Sequence, residues 1–194
     1  YFDPVHFAAF ELFLLKRKDA EKDYTPERIQ KAKEFFESLT DEQARKFERT
    51  VIDVFPGCKL GLNIQDVRNM LARYDNIDRS QLQEHLRLFL QEVIPVCEQY
   101  GVRMAIHPDD PPYQILGLPR IVCVEKDVQE LLAMVDSPAN GLCFCTGSYS
   151  ANLNNDIPGM VARYGNRINV AHLRSTQKNP DGSFFEANHL EGSV

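Results

Sequence analysis

Basic residues are outnumbered in this chain: 22 lysines and arginines face 28 aspartates and glutamates, a formal charge of −6. That balance does not suit neutralising phosphates, and no basic stripe of the nucleic-acid-binding kind is present. Long apolar runs are also missing. None approaches the roughly 20 residues needed to cross a bilayer, which excludes a spanning helix. Tyr1 to Asp3 begin no basic segment leading into an apolar one. No signal peptide is visible, and a cytoplasmic address is the default expectation. The five cysteines, at 58, 97, 123, 143 and 145, are odd in number, irregularly spaced and form no CxxC pair. This argues against a secreted disulfide framework. In apolar runs, Cys123 and Cys143 read as small buried hydrophobes. Internal repeats, low-complexity tracts and a dividing linker are absent too.

What is present reads as one domain, residues 1–194, with 43% hydrophobic and 26% charged residues, enough to bury a sizeable core. Residues 1–100 read as mainly helical. Phe7, Phe10, Leu14 and Leu15 recur at helical spacing. Thr25 with Pro26 is a cap and first-turn pair. Thr40 with Gln43 forms a capping box for a helix running to about Val54, which Pro56 and Gly57 stop. A short helix is expected within 63–74. Ser80 with Gln83 opens another, carrying Leu82, Leu86, Phe89, Leu90 and Val93 on one side. Pro95 should kink its last turns, and Gly101 suits its end.

After Gly101 the character changes. Apolar segments 102–106, 141–145 and 167–171 have strand length, and helical patterns lie near 125–135 and 156–164. Strand, loop and helix alternating in this way predict parallel βα units, whose strands are covered on both faces.

Each predicted strand ends in a metal-ligand type: His107 in IHPDDPP, Cys145 in CFCTGSY and His172 in VAHLRS. The intervals of 38 and 27 residues each hold one loop and one helix. Parallel strands joined this way bring their C-terminal ends to one rim, where α/β barrels build active sites. Alternation puts Ala105, Cys143 and Val170 on the ligands' faces, small or apolar as a barrel interior requires. Any one of the three alone reads more readily as a hydrogen-bonded or packed structural residue; three at equivalent strand ends make metal binding an equal alternative. Asp109 and Asp110 follow His107 directly. Asp109 is a candidate for supporting a metal ligand from behind or for contacting substrate hydroxyls, and Asp110 reads equally as a solvated acidic turn. The 145–148 turn offers amides and hydroxyls, Ser148 among them, to substrate oxygens. Arg174 follows His172 on the same face, where its guanidinium suits a carboxylate or a surface salt bridge. His189 reads as a loop residue.

The runs GVRMAIHPDDPP, ILGLPRIV, PANGLCFCTGSY, NDIPGMVARYGNRI and AHLRST closely resemble the mannonate dehydratase family, and FAAFELFLLKR with DYTPERI is similar though less diagnostic. The resemblance implies a TIM (β/α)8 barrel of the xylose-isomerase-like kind, of which this chain would hold about three βα units. It implies His107, Cys145 and His172 as ligands of Mn2+, with Fe2+ as the second choice. By the same resemblance, a sugar acid, D-mannonate, is dehydrated in hexuronate breakdown by a cytoplasmic homo-oligomer. The family usually carries a glycine and an arginine after CTGSY, where this chain has Ser150 and Asn152. A further metal-binding aspartate and the acid/base residue are expected beyond Val194. A sugar isomerase or epimerase on the same barrel is the nearest alternative, and those sites usually place carboxylates where Cys145 stands. A non-catalytic, closed zinc module would need a fourth ligand.

Overall fold

The structure, a computed structural model, describes residues 1–54 and 61–193. Its first half is a layer of helices. Helix α1 (Pro4–Ala9) is capped by the Asp3 carboxylate, which accepts from the amides of Val5 and His6, and it continues as a π-helical segment, Phe10–Leu15. Helix α2 (Pro26–Glu37) starts at the expected Thr25 cap. Helix α3 (Asp41–Asp53) opens on the Thr40–Gln43 box: the Gln43 side chain accepts from the Thr40 amide at 2.8 Å. The stop expected at Pro56 and Gly57 lies outside the described residues. Helix α4 (Ile64–Leu71) and a 3-10 turn to Tyr74 fill the expected 63–74 segment.

Helix α5 (Arg79–Gln99) differs from expectation at its start and ends, as expected, at Gly101. It is capped by Asp78, not Ser80, because the Asp78 carboxylate accepts from the Gln81 amide and the Gln81 side chain accepts from the Asp78 amide. It runs through Pro95. The carbonyl deprived of a partner belongs to Gln91, which is solvent-exposed like Pro95, so water can serve it. Beyond Tyr100, Gly101 takes a left-handed φ of 64°, and the Val102 amide closes the end on the Cys97 carbonyl.

The second half holds α6 (Glu125–Met134), β1 (Leu142–Cys145), the short α7 (Thr146–Ser150), α8 (Ile157–Tyr164) and β2 (Ile168–His172). Strands β1 and β2 are parallel neighbours, as βα units require. The expected strand at 102–106 is reduced to a single parallel bridge, Ile106 with Leu142. Backbone bonds from Met104 to Ala139, Ile106 to Gly141 and Cys143 to Ile106 begin a ladder. Pro108 has no amide to extend it, and the Asp109 amide turns away to Val122. The order is therefore the 104–106 segment, β1, β2. Two strands unforeseen in the sequence, β3 (Thr176–Lys178) and β4 (Phe184–Glu186), form an antiparallel hairpin, and Phe2 bridges to Phe184.

One core joins α5, α6, β1 and α8 through Leu90, Ile94, Val128, Leu131, Phe144 and Met160. A second lies among the first helices, around Phe10, Leu15, Ile52 and Val67. The outer strand β2 is only partly covered: Val170 is 49% exposed and Leu173, just beyond it, 69%. The chain is thus a mixed helix and sheet protein consistent with part of an α/β fold. Among the described residues no helix is long and apolar enough to cross a membrane.

Candidate metal centre

Strand register assembles the site. Cys145 and His172 are direct partners across β1 and β2, and His107 is the first residue past the Ile106 bridge on the other side of β1. One ligand atom from each lies within 4.8 Å of the others. The histidine rings are exposed, with centroids 5.8 Å apart, and Cys145 is buried. His107 Nδ1 lies 2.7 Å from the Pro108 carbonyl. A carbonyl only accepts, so Nδ1 carries the proton and Nε2 keeps the lone pair a metal needs. The Cys145 sulfur accepts from the Ser148 amide at 3.4 Å and lies 3.2 Å from the Ser148 hydroxyl, donors that suit a thiolate. Two imidazoles and a thiolate fit a divalent transition ion, with coordination positions left over for substrate.

A polar network lies behind the sulfur. The Thr146 hydroxyl donates to the Arg174 carbonyl at 2.6 Å and accepts from the Arg174 amide at 3.1 Å, tying the end of β2 to α7. Gly147 leaves room for the Arg174 stem. Arg174 Nη1 donates to Asp110 Oδ2 at 2.5 Å and to the Ser148 hydroxyl at 3.2 Å; its Nε donates to Glu186 Oε1 at 2.7 Å, and Nη2 forms an ion pair with the same oxygen at 2.5 Å. Burial alone would lower the Arg174 pKa, but the bond from Glu186 and the charge of Asp110 outweigh it and raise it.

The expected residues divide between two places. Arg174 and Ser148 stand beside the three ligands. Asp109 turns away: its carboxylate accepts from the amides of Ile121 and Val122 at 2.9 Å and pairs with Arg120 at 3.2 Å. Asp110 is the carboxylate that faces Arg174. The chain turns at Pro108, and the Asp109 amide bonds the Val122 carbonyl, which carries Asp109 away from the ligands. Ser150 bonds the Gly147 carbonyl and Thr176, and Asn152 bonds the Pro112 carbonyl, so both brace the loop. His189 donates to the Leu173 carbonyl. Sequence reasoning missed Glu186 and Thr146. The threonine stood in the CTGS motif, whereas Glu186 had no signal without the hairpin. Cys123, buried beside Asp109 and Asp127, has its thiol pushed up to about 12, mainly by burial. That suits the expected packing role.

Parallel strands of a mixed helix and sheet fold thus bring three side chains of metal-ligand type together at their C-terminal ends. Residues 15–194 match the family model described as D-mannonate dehydratase (UxuA). The chain belongs to that family. It is 48% identical over all 194 residues to a mannonate dehydratase of Marinomonas sp. (strain MWYL1), spanning 50% of that protein. Over 193 residues it is 41% identical to mannonate dehydratase 2 of Agrobacterium fabrum (strain C58 / ATCC 33970), spanning 49% of it. The chain therefore spans about half the length of these curated relatives. The crystal structure of mannonate dehydratase from Streptococcus suis serotype2 superposes with a TM-score of 0.59 at 40% identity, covering 62% of this chain and 35% of that one.

Proposed function

We propose that this chain supplies the metal-binding part of a hydro-lyase that converts D-mannonate to 2-keto-3-deoxy-D-gluconate and water. The observation that carries the reading is the convergence of His107, Cys145 and His172 within 4.8 Å in a member of the mannonate dehydratase family. The reaction removes the C2 proton, expels the C3 hydroxyl as water and lets the enol become the ketone. The C2 proton is weakly acidic because a carboxylate sits beside it. A divalent ion held by His107, Cys145 and His172 supplies positive charge where negative charge develops as that proton leaves. Thr146 fixes the backbone after His172, and Pro108 fixes the His107 tautomer. Arg174, Asp109 and Ser148, first read as substrate contacts, are engaged by protein partners and carry no such role in this proposal. No residue of the chain is assigned the proton transfers.

For the wider fold we propose an α/β barrel of the xylose-isomerase-like kind. Its support is the in-sequence neighbour order of three parallel segments, the ligands gathered at one rim, and the likeness to the Streptococcus suis enzyme. Thiolate and imidazole alone suit zinc; we assign Mn2+, with Fe2+ second, on the family resemblance. The test is to strip the protein of metal, restore single ions, and follow keto-acid formation from D-mannonate beside the far-ultraviolet circular dichroism. The reading expects turnover lost on chelation, restored by manganese, with the fold retained. Unfolding on chelation, with no keto acid formed under any ion, would instead support a closed structural site.

A further inference from the structure

We propose that Arg174, Asp110 and Ser148 form a positioning relay that fixes the hydrogen bonds received by the Cys145 sulfur. Arg174 then acts on the metal centre through Ser148 and does not receive the substrate carboxylate. The inference rests on the three-ligand reading of the site.

The argument begins with the guanidinium, which has five N–H donors in a rigid fork. Nε donates to Glu186, whose Oε1 also forms an ion pair with Nη2, and Nη1 donates to Asp110 and to Ser148. Each paired edge is already engaged by protein groups, and neither is left for a bidentate substrate carboxylate. The stem lies against Gly147, in the space a Cβ there would fill.

The serine proton comes next. Ser148 is fully buried, and its hydroxyl has two acceptors in reach, the Cys145 sulfur at 3.2 Å and Asp110 Oδ2 at 3.3 Å. Asp110 Oδ2 already receives a short charge-assisted bond from Arg174, and the second Nη1 hydrogen points at the serine oxygen. Both bonds direct the hydroxyl proton to the sulfur. The sulfur then receives two donors from one residue, O–H and N–H, which fix its lone pairs and draw charge from it. Outer partners of this kind typically change metal affinity about 10- to 100-fold when removed.

The test uses cobalt(II) in place of the native ion in the full-length protein, and reads the sulfur-to-cobalt charge-transfer band, the cobalt dissociation constant, and KM against kcat. Ser148→Ala, Asp110→Asn and Arg174→Lys are compared, and circular dichroism confirms folding of each. The relay expects all three to move the band to lower energy and to weaken cobalt binding about tenfold or more. Asp110→Asn keeps the side-chain shape, so it tests the relay even where another variant fails to fold. An Arg174→Lys or Asp110→Asn protein with an unmoved band and unchanged cobalt affinity overturns the relay. A tenfold rise in KM for Arg174→Lys beside that unmoved band would make Arg174 a substrate ligand instead. A wild-type protein with no charge-transfer band refutes the three-ligand centre itself, an outcome distinct from failure of the relay.

Discussion

Gly147 and Arg174 occupy one space: a Cβ on Gly147 would lie 2.5 Å from Arg174 Cγ and 2.6 Å from Cδ. Gly147→Ala should therefore push the arginine off Asp110 and Ser148. Overpacking of this kind costs about 1–3 kcal/mol, and denaturant unfolding should show a loss in that range. Unchanged stability would mean that the stem moves aside freely.

Cys145→Ser and His172→Asn should abolish metal binding and turnover while leaving the helical circular dichroism unchanged, because both lie at strand ends outside the main packing of α5 and α6. Near-normal turnover in either variant of the full-length enzyme would remove that residue from the ligand set.

Tyr149 is fully buried against Phe144, and its hydroxyl has no hydrogen-bond partner among the described residues. Burial raises its pKa, so it stays neutral. Burying an unsatisfied hydroxyl costs about 1–3 kcal/mol. Tyr149→Phe should accordingly stabilise the protein by about 1 kcal/mol or more in a urea titration; a destabilised variant would show that the hydroxyl is satisfied.

Alkaline pH should weaken the fold in a defined window. The Cys123 thiol is pushed from an ordinary 9.0 up to about 12, by burial first and the charges of Asp109 and Asp127 next. Between these values the unfolded chain releases a proton that the native state keeps, so stability is full below about pH 9 and falls as pH rises toward 12. Tyr24, Tyr113 and Tyr149, raised mainly by burial, add to the fall at the upper end. Cys123→Ala should flatten the slope that begins near pH 9. A slope unchanged by that substitution would assign it to Cys143, also raised by burial, and the tyrosines.

Local signals were legible where one side chain acts on its own backbone. Thr25 with Pro26 and Thr40 with Gln43 start helices where expected, since a cap needs only neighbours. The apolar runs around Phe144 and Asn169 formed β1 and β2 because their length and composition mark strands, although β2 is largely exposed. Features that depend on distant partners were not legible. Asp78 displaced Ser80 as a cap through a choice between two adequate caps. The β3–β4 hairpin has short strands, TQK and FFE, with no long apolar alternation, and it is held in part by Phe2, more than 180 residues away. For the site, the convergence of His107, Cys145 and His172 could be anticipated from their places at strand ends. Which of two adjacent aspartates turned inward depended on the path of the chain after Pro108, and Glu186 became visible only with the hairpin.

The pairing of Cys145 with His172 has a consequence for how the proposed metal site would respond to different ions. Two of its three donors hang from backbones whose spacing is set by hydrogen bonds of the sheet, roughly 4.8 Å between neighbouring strands. The backbone bite is therefore decided before any ion arrives, and loading needs side-chain rotation without strand movement. Ions of different radius should then bind with nearly the same small heat-capacity change. Discrimination among them would fall to ligand chemistry and supply, since the sheet gives this half of the site one fixed gauge.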